Sequence, residues 1–325
     1  MTRVLVIANN PQQASYRLRI EALREPLAQR GIDLHVEFRP DQWIDRRHLY
    51  ATAGQYDAVL LQRKLLQARE IRLLRRYAKK IFFDVDDAVM YPGARRNPIH
   101  RWRIWRRFRA HVPRLDLVVA GNEYLADIFR RSGARALVLP TVVDARRYQV
   151  KSHSPTRSPA LVWIGSKSTL GYLNHAASAL AQSAARVSGL RLIVIADQAP
   201  TDLPLPVEHV PWSLDTEAAA LCRGDIGIAP MPADRWTLGK CGFKILQYMA
   251  AGLPVIASPV GANAQIVLPG QTGFLPQSAA QWADAVASLA ADPQLRHTKG
   301  SAGRQRVEQE YSLQRAADMW AKVLG

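Results

Sequence analysis

Short apolar runs rich in β-branched residues alternate with amphipathic segments along the first half of the chain, pause in a polar stretch, and begin again in the second half. In the first half RVLVIAN (3–9), DLHVEF (33–38), YDAVLLQ (56–62), KIFFDVD (80–86), LDLVVAG (115–121) and ALVLPT (136–141) read as strands. Helical patterns lie between them at about 16–30, 67–79, 98–112 and 123–132. A strand that returns in the same direction needs a crossover of helical length, so this spacing predicts β-α-β units and a parallel sheet. The stretch QVKSHSPTRSPA (149–160) reads as a linker by composition. Beyond it ALVWIGS (160–166), LRLIVIA (190–196), VEHVPW (207–212), DIGIAPM (225–231) and PVIASPV (254–260) repeat the pattern, with helices at about 169–188, 215–223 and after residue 240. The expected fold is α/β: two Rossmann-like domains, 1–150 and 151–311, facing a central cleft, with 312–325 a terminal amphipathic helix packing back toward the N-terminal domain.

A chain of 325 residues, 48% of them hydrophobic, suffices for two cores. No run of about 18 apolar residues interrupts it, and MTRVLVIANN reads as a first strand rather than a cleavable signal, so the expected compartment is the cytosol. Cys222 and Cys241 make neither a disulfide framework nor a zinc site, and Cys241 reads as a small buried residue. The net charge of +17 is concentrated: residues 1–150 hold 29 Lys and Arg against 15 Asp and Glu. Only that half is expected to face a large anionic partner, an acidic membrane surface or nucleic acid.

In open α/β sheets ligands bind beyond the carboxyl ends of the strands. WIGSKSTLGYL (163–173) puts Gly165, Ser166, Lys167, Ser168 and Thr169 between a strand and a helix, where they form either a phosphate cradle or an ordinary hydroxyl N-cap. GKCGFKILQYMAAGLPVIASPVG (239–261) puts Lys240 and Lys244 one turn apart at a helix start, where the backbone dipole already disfavours cations. Two such loops, each with lysine, describe a diphosphate clamp, and VGAN (260–263) adds small residues through which backbone N–H groups approach the same ligand. The absence of G-x-G-x-x-G after the first strand and of G-x-x-x-x-G-K-[ST] argues against dinucleotide dehydrogenases and P-loop enzymes.

In FFDVDDAV (82–89), Asp84, Asp86 and Asp87 repel one another unless neutralised, so the loop faces a ligand, a metal or arginines, or else holds a helix cap and surface acids. Between Asp87 and Asp116 lie eight arginines and no acid; Arg101, Arg103, Arg106 and Arg107 surround Trp102, Trp105 and Phe108, which are spaced three apart. Such a helix suits an anionic bilayer surface, the alternative being aromatics packed on the core with solvated arginines. A second basic stretch, 63–80, carries eight cations and one acid. No RRM, KH or helix-turn-helix signature accompanies it, which argues against nucleic acid. Arg17 and Arg19, after the first strand, are candidates for a phosphate-bearing acceptor.

The stretch GFKILQYMAAGLPVIASPVGANAQIVLPGQTGFL (242–275), with GDIGIAPM (224–231) before it and VVAGNEYLADIF, VLPTVVDARRY, WIGSKSTLGYL and EYSLQRAADMW in the same order, resembles retaining glycosyltransferases of family four, which have the GT-B fold. The resemblance covers most of the chain from about residue 80 and is strongest in the second half. It implies a sugar nucleotide bound by the C-terminal domain, an acceptor on the N-terminal domain, retention of configuration, and neither an obligatory metal nor a cofactor. It further implies Lys167, Lys240 and Lys244 on the diphosphate, Gln247 on the ribose, and Ala262 and Asn263 against the donor. Where the family commonly has Glu-x7-Glu, this chain has Gly239 or Lys240 and Gln247. Asp84-x-Asp86 also resembles the metal motif of the other major glycosyltransferase fold, whose single-domain architecture does not suit this layout. Asp86 or Asp87 is expected to orient, or take a proton from, the acceptor hydroxyl. The resulting expectation is a transferase acting on a lipid-linked or anionic acceptor at the inner face of the membrane, in envelope polysaccharide or glycolipid synthesis. Its alternatives are a nucleotide-sugar epimerase of the same shape and a binding protein for anionic polymers or membranes.

Overall fold

The computed structural model describes residues 1–91 and 97–325. The chain divides into two compact units, one of Met1–Val142, Asp234–Cys241 and Leu313–Gly325, the other of Val143–Ala233 and Gly242–Ser312. In the first, β1 (Thr2–Ala8), β2 (Ile32–Phe38), β3 (Ala58–Gln62), β4 (Ile81–Val85), β5 (Leu117–Ala120) and β6 (Ala136–Val138) form one sheet in the order β2-β1-β3-β4-β5-β6, parallel throughout. Both faces are covered, which is why the strands read as unbroken apolar runs. Leu5, Ile7 and Phe83 face a layer holding Tyr50, Leu74, Phe108 and Phe129. Val4, Val6 and Phe82 face Ile20, Leu23 and Leu27, together with Ala316, Trp320 and Leu324 of the terminal helix Leu313–Leu324.

In the second unit β7 (Ala160–Ile164), β8 (Arg191–Ala196), β9 (Val207–Pro211), β10 (Ile226–Ala229), β11 (Val255–Ala257) and β12 (Gly273–Phe274) follow the order β12-β11-β10-β7-β8-β9, again parallel. The order turns between β7 and β10, as it does between β1 and β3 in the first unit, and such turning points are where doubly wound sheets hold ligands.

Several elements differ from the sequence expectation for local reasons. The helix expected over 16–30 is broken into Ala14–Arg19, a 3₁₀ turn and Arg24–Ala28. Pro26 has no N–H to continue a helix from Ala22 and its ring would clash there. Helices Trp43–Ala51, Ala279–Ala291 and Pro293–Glu310 were not anticipated. The last two carry readable starts: the side chains of Ser278 and Asp292 accept from Gln281 and Leu295 N–H, and Pro293 opens its helix. The expected linker is instead bound along the second unit, where Lys151 Nζ donates to Cys222 O (2.9 Å) and His153 Nε2 lies 2.9 Å from Gly252 O.

Tyr248 closes the turning point of the second sheet. Strands β7 and β10 pair at Leu161 and Val162, then part. The buried hydroxyl of Tyr248 accepts from Ile164 N–H (3.0 Å) and donates to Ile228 O (3.0 Å), so neither backbone group is orphaned. Gly227 makes the room, since a Cβ there would stand 2.5 Å from Tyr248 Cγ. Tyr248→Phe is expected to cost about 2–4 kcal/mol by leaving two buried polar groups unpaired. Hydrogen exchange should show Ile164 losing protection before the rest of β7; unchanged protection at Ile164 would contradict this role.

Candidate functional site

In the first unit the carboxyl ends of β1, β3, β4 and β5 gather a cluster of charges. Arg19 is 2% exposed and holds Asp84 through Nε (2.9 Å) and Nη2 (2.6 Å), while its Nη1 donates to Leu139 O (3.0 Å). This corrects the expectation that Arg19 meets an acceptor: its five donors are turned inward, and burying Asp84 without it would leave a bare charge. Arg17 lies half-buried on the same helix. Arg63, left-handed at φ 58°, turns its guanidinium onto Asp87 and Asp86, with Nε 3.6 Å from Asp86 Oδ1. Lys240 Nζ reaches Asp87 Oδ1 at 2.8 Å and sits 4.6 Å from the Trp236 ring centre. The three acids at the end of β4 are thus faced by Arg19, Arg63 and Lys240.

The segment Asp234–Cys241 is fastened to this unit by Asn122, whose Nδ2 donates to Leu238 O (3.2 Å) and Lys240 O (3.0 Å) while its Oδ1 caps the helix Glu123–Arg131. The Cys241 thiol donates to Asp86 O at 3.1 Å, and burial, with Asp86 beside it, pushes its pKa up, so it is a packing group and no thiolate nucleophile. A Cβ on Gly239 would stand 2.7 Å from Ala88 Cβ and 2.9 Å from Ala88 N, so this position has no room for a side chain.

Asp86 is the unusual member. Its Oδ1 is buried without a hydrogen-bond partner among the described residues. Burial raises its pKa to about 6, Arg63 opposing the rise and Asp87 adding to it.

In the second unit the ring of Trp163, fully buried at the end of β7, joins two of the expected elements. Lys244 Nζ lies 4.2 Å from the ring centre, and a Cβ on Gly165 would run into the same ring. Ser166, Lys167 and Ser168 are exposed on a 3₁₀ turn, Lys167–Thr169, where Ser166 and Thr169 cap each other and Lys167 N–H donates to Asp197 Oδ1 (2.6 Å). The helix Phe243–Ala250 begins only after Gly242, left-handed at φ 66°. Lys240 is therefore outside that helix and not a turn from Lys244. Gly242 faces Ala262 and Asn263, at 3.7 Å from each to its Cβ position. Asn263 Nδ2 donates to Ser258 O at 3.3 Å. Gln247 departs from its expected ribose role: it is 3% exposed and its amide donates to the Tyr148 hydroxyl (3.1 Å), because this helix buries every residue from 245 to 250.

The basic aromatic helix runs Pro98–His111, the earlier Gly93, Arg95 and Arg96 lying outside the described residues. Its aromatic stripe divides: Phe108 is in the core, 5.0 Å from the Phe129 ring, while Trp102 and Trp105 are exposed. Lys64 has its pKa lowered by burial and by Arg39 and Arg107, so cations also crowd inward of this helix.

Two parallel six-stranded sheets of this order constitute the fold of GT-B glycosyltransferases. Residues 158–292 match the model of the family Glycosyl transferases group 1. The chain aligns with sucrose-phosphate synthase of Thermosynechococcus elongatus at a TM-score of 0.74 and 17% identity, over 99% of this chain and 98% of that one. It aligns with Anabaena HepE in complex with UDP and glucose at 0.73 and 16%, over 100% and 99%. Glycogen synthase of Mycobacterium tuberculosis is 27% identical over 216 residues, 62% of this chain and 51% of that protein. The chain thus spans about half the length of this curated relative.

An acid whose pKa is raised on folding contributes stability below its unfolded value, near 3.9, and loses it as pH climbs through about 6. Asp86→Asn removes that loss. The variant should exceed the parent in stability at pH 7 by about 1–3 kcal/mol and match it near pH 4, measured by denaturant unfolding at both. The opposite pH order would contradict the placement of Asp86.

Proposed function

We propose that the protein moves a sugar from a nucleoside-diphosphate-sugar donor to a lipid-linked or otherwise anionic acceptor, with retention of configuration, in envelope polysaccharide or glycolipid synthesis. One observation carries this reading: Lys244 and the loop at Gly165 meet on the ring of Trp163, at the turning point of the second sheet. A cation held there is placed for the diphosphate, and the helix start at Gly242 lends its N–H groups to the same anion. Donor binding by HepE, solved with UDP-glucose, supports the choice of ligand class.

In the proposed reaction the bond from the anomeric carbon to the diphosphate oxygen breaks and the acceptor oxygen takes its place on the same face. The charge that develops on the leaving diphosphate is met by Lys244, with Lys167 on the neighbouring turn. The acceptor's proton passes to the leaving phosphate or to Asp86, whose pKa near 6 suits a base at neutral pH. Asp87, held by Arg63 and Lys240, orients the acceptor; the diphosphate role of Lys240 gives way to this pairing. Arg107, with Lys64 and Arg39, supplies positive charge for an anionic acceptor.

Thermal unfolding with uridine, guanosine and adenosine diphosphates and their sugar conjugates tests the donor site. At least one should stabilise the parent, by about 2.7 kcal/mol at a hundredfold excess over Kd. Lys244→Met keeps the apolar stem on Trp163 and removes the charge, so it should weaken that ligand by tenfold or more. No stabilisation by any of them would overturn the donor site. Release of nucleoside diphosphate without any acceptor would favour an epimerase over a transferase.

A further inference from the structure

We infer that the helix Pro98–His111 docks the protein on a lipid bilayer bearing anionic headgroups, independently of the donor reading. The C-terminal half of this helix is fixed to the first unit. Phe108 is 1% exposed, and buried His111 accepts from Leu66 N–H through Nε2 (2.9 Å) while its Nδ1 meets Arg107 O (3.0 Å). Burial lowers the His111 pKa to about 4, so it stays neutral as an anchor. The N-terminal half projects: Ile99, Trp102 and Trp105 are 61%, 57% and 43% exposed. Spaced three apart, they fall within an arc of about 120° on one side of the helix. Three large apolar side chains held together in water on a rigid support mark a surface made for contact.

The charge around them identifies the contact. Several guanidiniums of this unit reach a carboxylate, Arg75 on Asp116, Arg130 on Glu123 and Arg30 on Asp318. None of the five arginines of Pro98–His111 pairs with an acid among the described residues. Arg106 instead lies over the Trp102 ring, 4.9 Å from its centre. The neighbouring helix Ala68–Tyr77 adds exposed Arg69, Arg72 and Arg76. An indole belt with guanidiniums reaching to phosphate level is the chemistry of an anionic bilayer interface. A single-stranded nucleic acid fits less well: bases need open ring faces, whereas Trp102 carries Arg106 and Trp105 stacks on Phe108 (5.0 Å), and exposed Ile99 offers a base nothing to pair with.

Sucrose-loaded vesicles of phosphatidylcholine, alone or mixed with phosphatidylglycerol, test this. The protein should sediment with the mixed vesicles at low salt, far less at high salt, and not with phosphatidylcholine alone. Replacing Arg101, Arg103 and Arg106 together with Ala should weaken vesicle binding about 100-fold. Ile99→Ser with Trp102→Ser should weaken it by at least tenfold, and the blue shift of indole emission on vesicle binding should shrink. All five side chains are exposed, so melting temperatures, and any stabilisation by a nucleoside diphosphate, should persist in both variants. Equal sedimentation with both vesicle types, insensitivity to either set of substitutions, or tighter binding to a single-stranded oligonucleotide than to mixed vesicles would overturn the inference. Loss of nucleotide stabilisation in the parent would leave it standing.

Discussion

A parallel sheet brings all its carboxyl ends to one edge, and where its order turns, two adjoining strands send their crossovers to opposite faces and leave backbone groups uncovered. The second unit meets this constraint with one hydroxyl, that of Tyr248, set between β7 and β10. Because the opening is held by a side chain from the helix Phe243–Ala250, the start of that helix is fixed against the end of β7. Lys244 and Trp163 come together as a result. Fold and candidate site therefore share a single fastening.

The first unit solves a different difficulty at the equivalent edge. Three carboxylates on one strand end would not fold together unaided. Asp84 is satisfied by Arg19 inside the core, Asp87 is shared by Arg63 and Lys240, and Asp86 keeps one oxygen without a hydrogen-bond donor among the described residues. The division separates supporting acids from an available one. Close packing of Gly121, Cys241 and Gly239 at this spot leaves little space for other side chains, and so preserves the division.

The central strands were legible because strands buried on both faces must be apolar throughout, and the observed limits fall within a few residues of the expected ones, whereas the two-residue β12 was not expected. The gathering of Gly165 and Lys244 was legible for the same reason, since loops after parallel strands share an edge. Other features depended on contacts that spacing does not encode. Trp102, Trp105 and Phe108 have equivalent spacing, yet only Phe108 meets Phe129. Arg19 looks like any surface arginine until Asp84, 65 residues away, is seen beside it. Gly242 ends the equivalence of Lys240 and Lys244 by one left-handed turn, and the Gly in GKCGFK was its only sign. Arg63 and Trp163 were overlooked as site residues; the Trp in WIGS, at the end of a strand ahead of a glycine, was the available hint.

The terminal helix has a kinetic corollary. One face of the first sheet, formed by strands within the first 138 residues, is covered in part by Trp320 and Leu324. On a ribosome the amino-terminal half ordinarily folds as it emerges. Here the apolar side of the layer Glu21–Ala28 that meets the helix Leu313–Leu324 stays uncovered until that helix has been made. Completion of the first unit thus waits until the intervening residues of the second unit have been made.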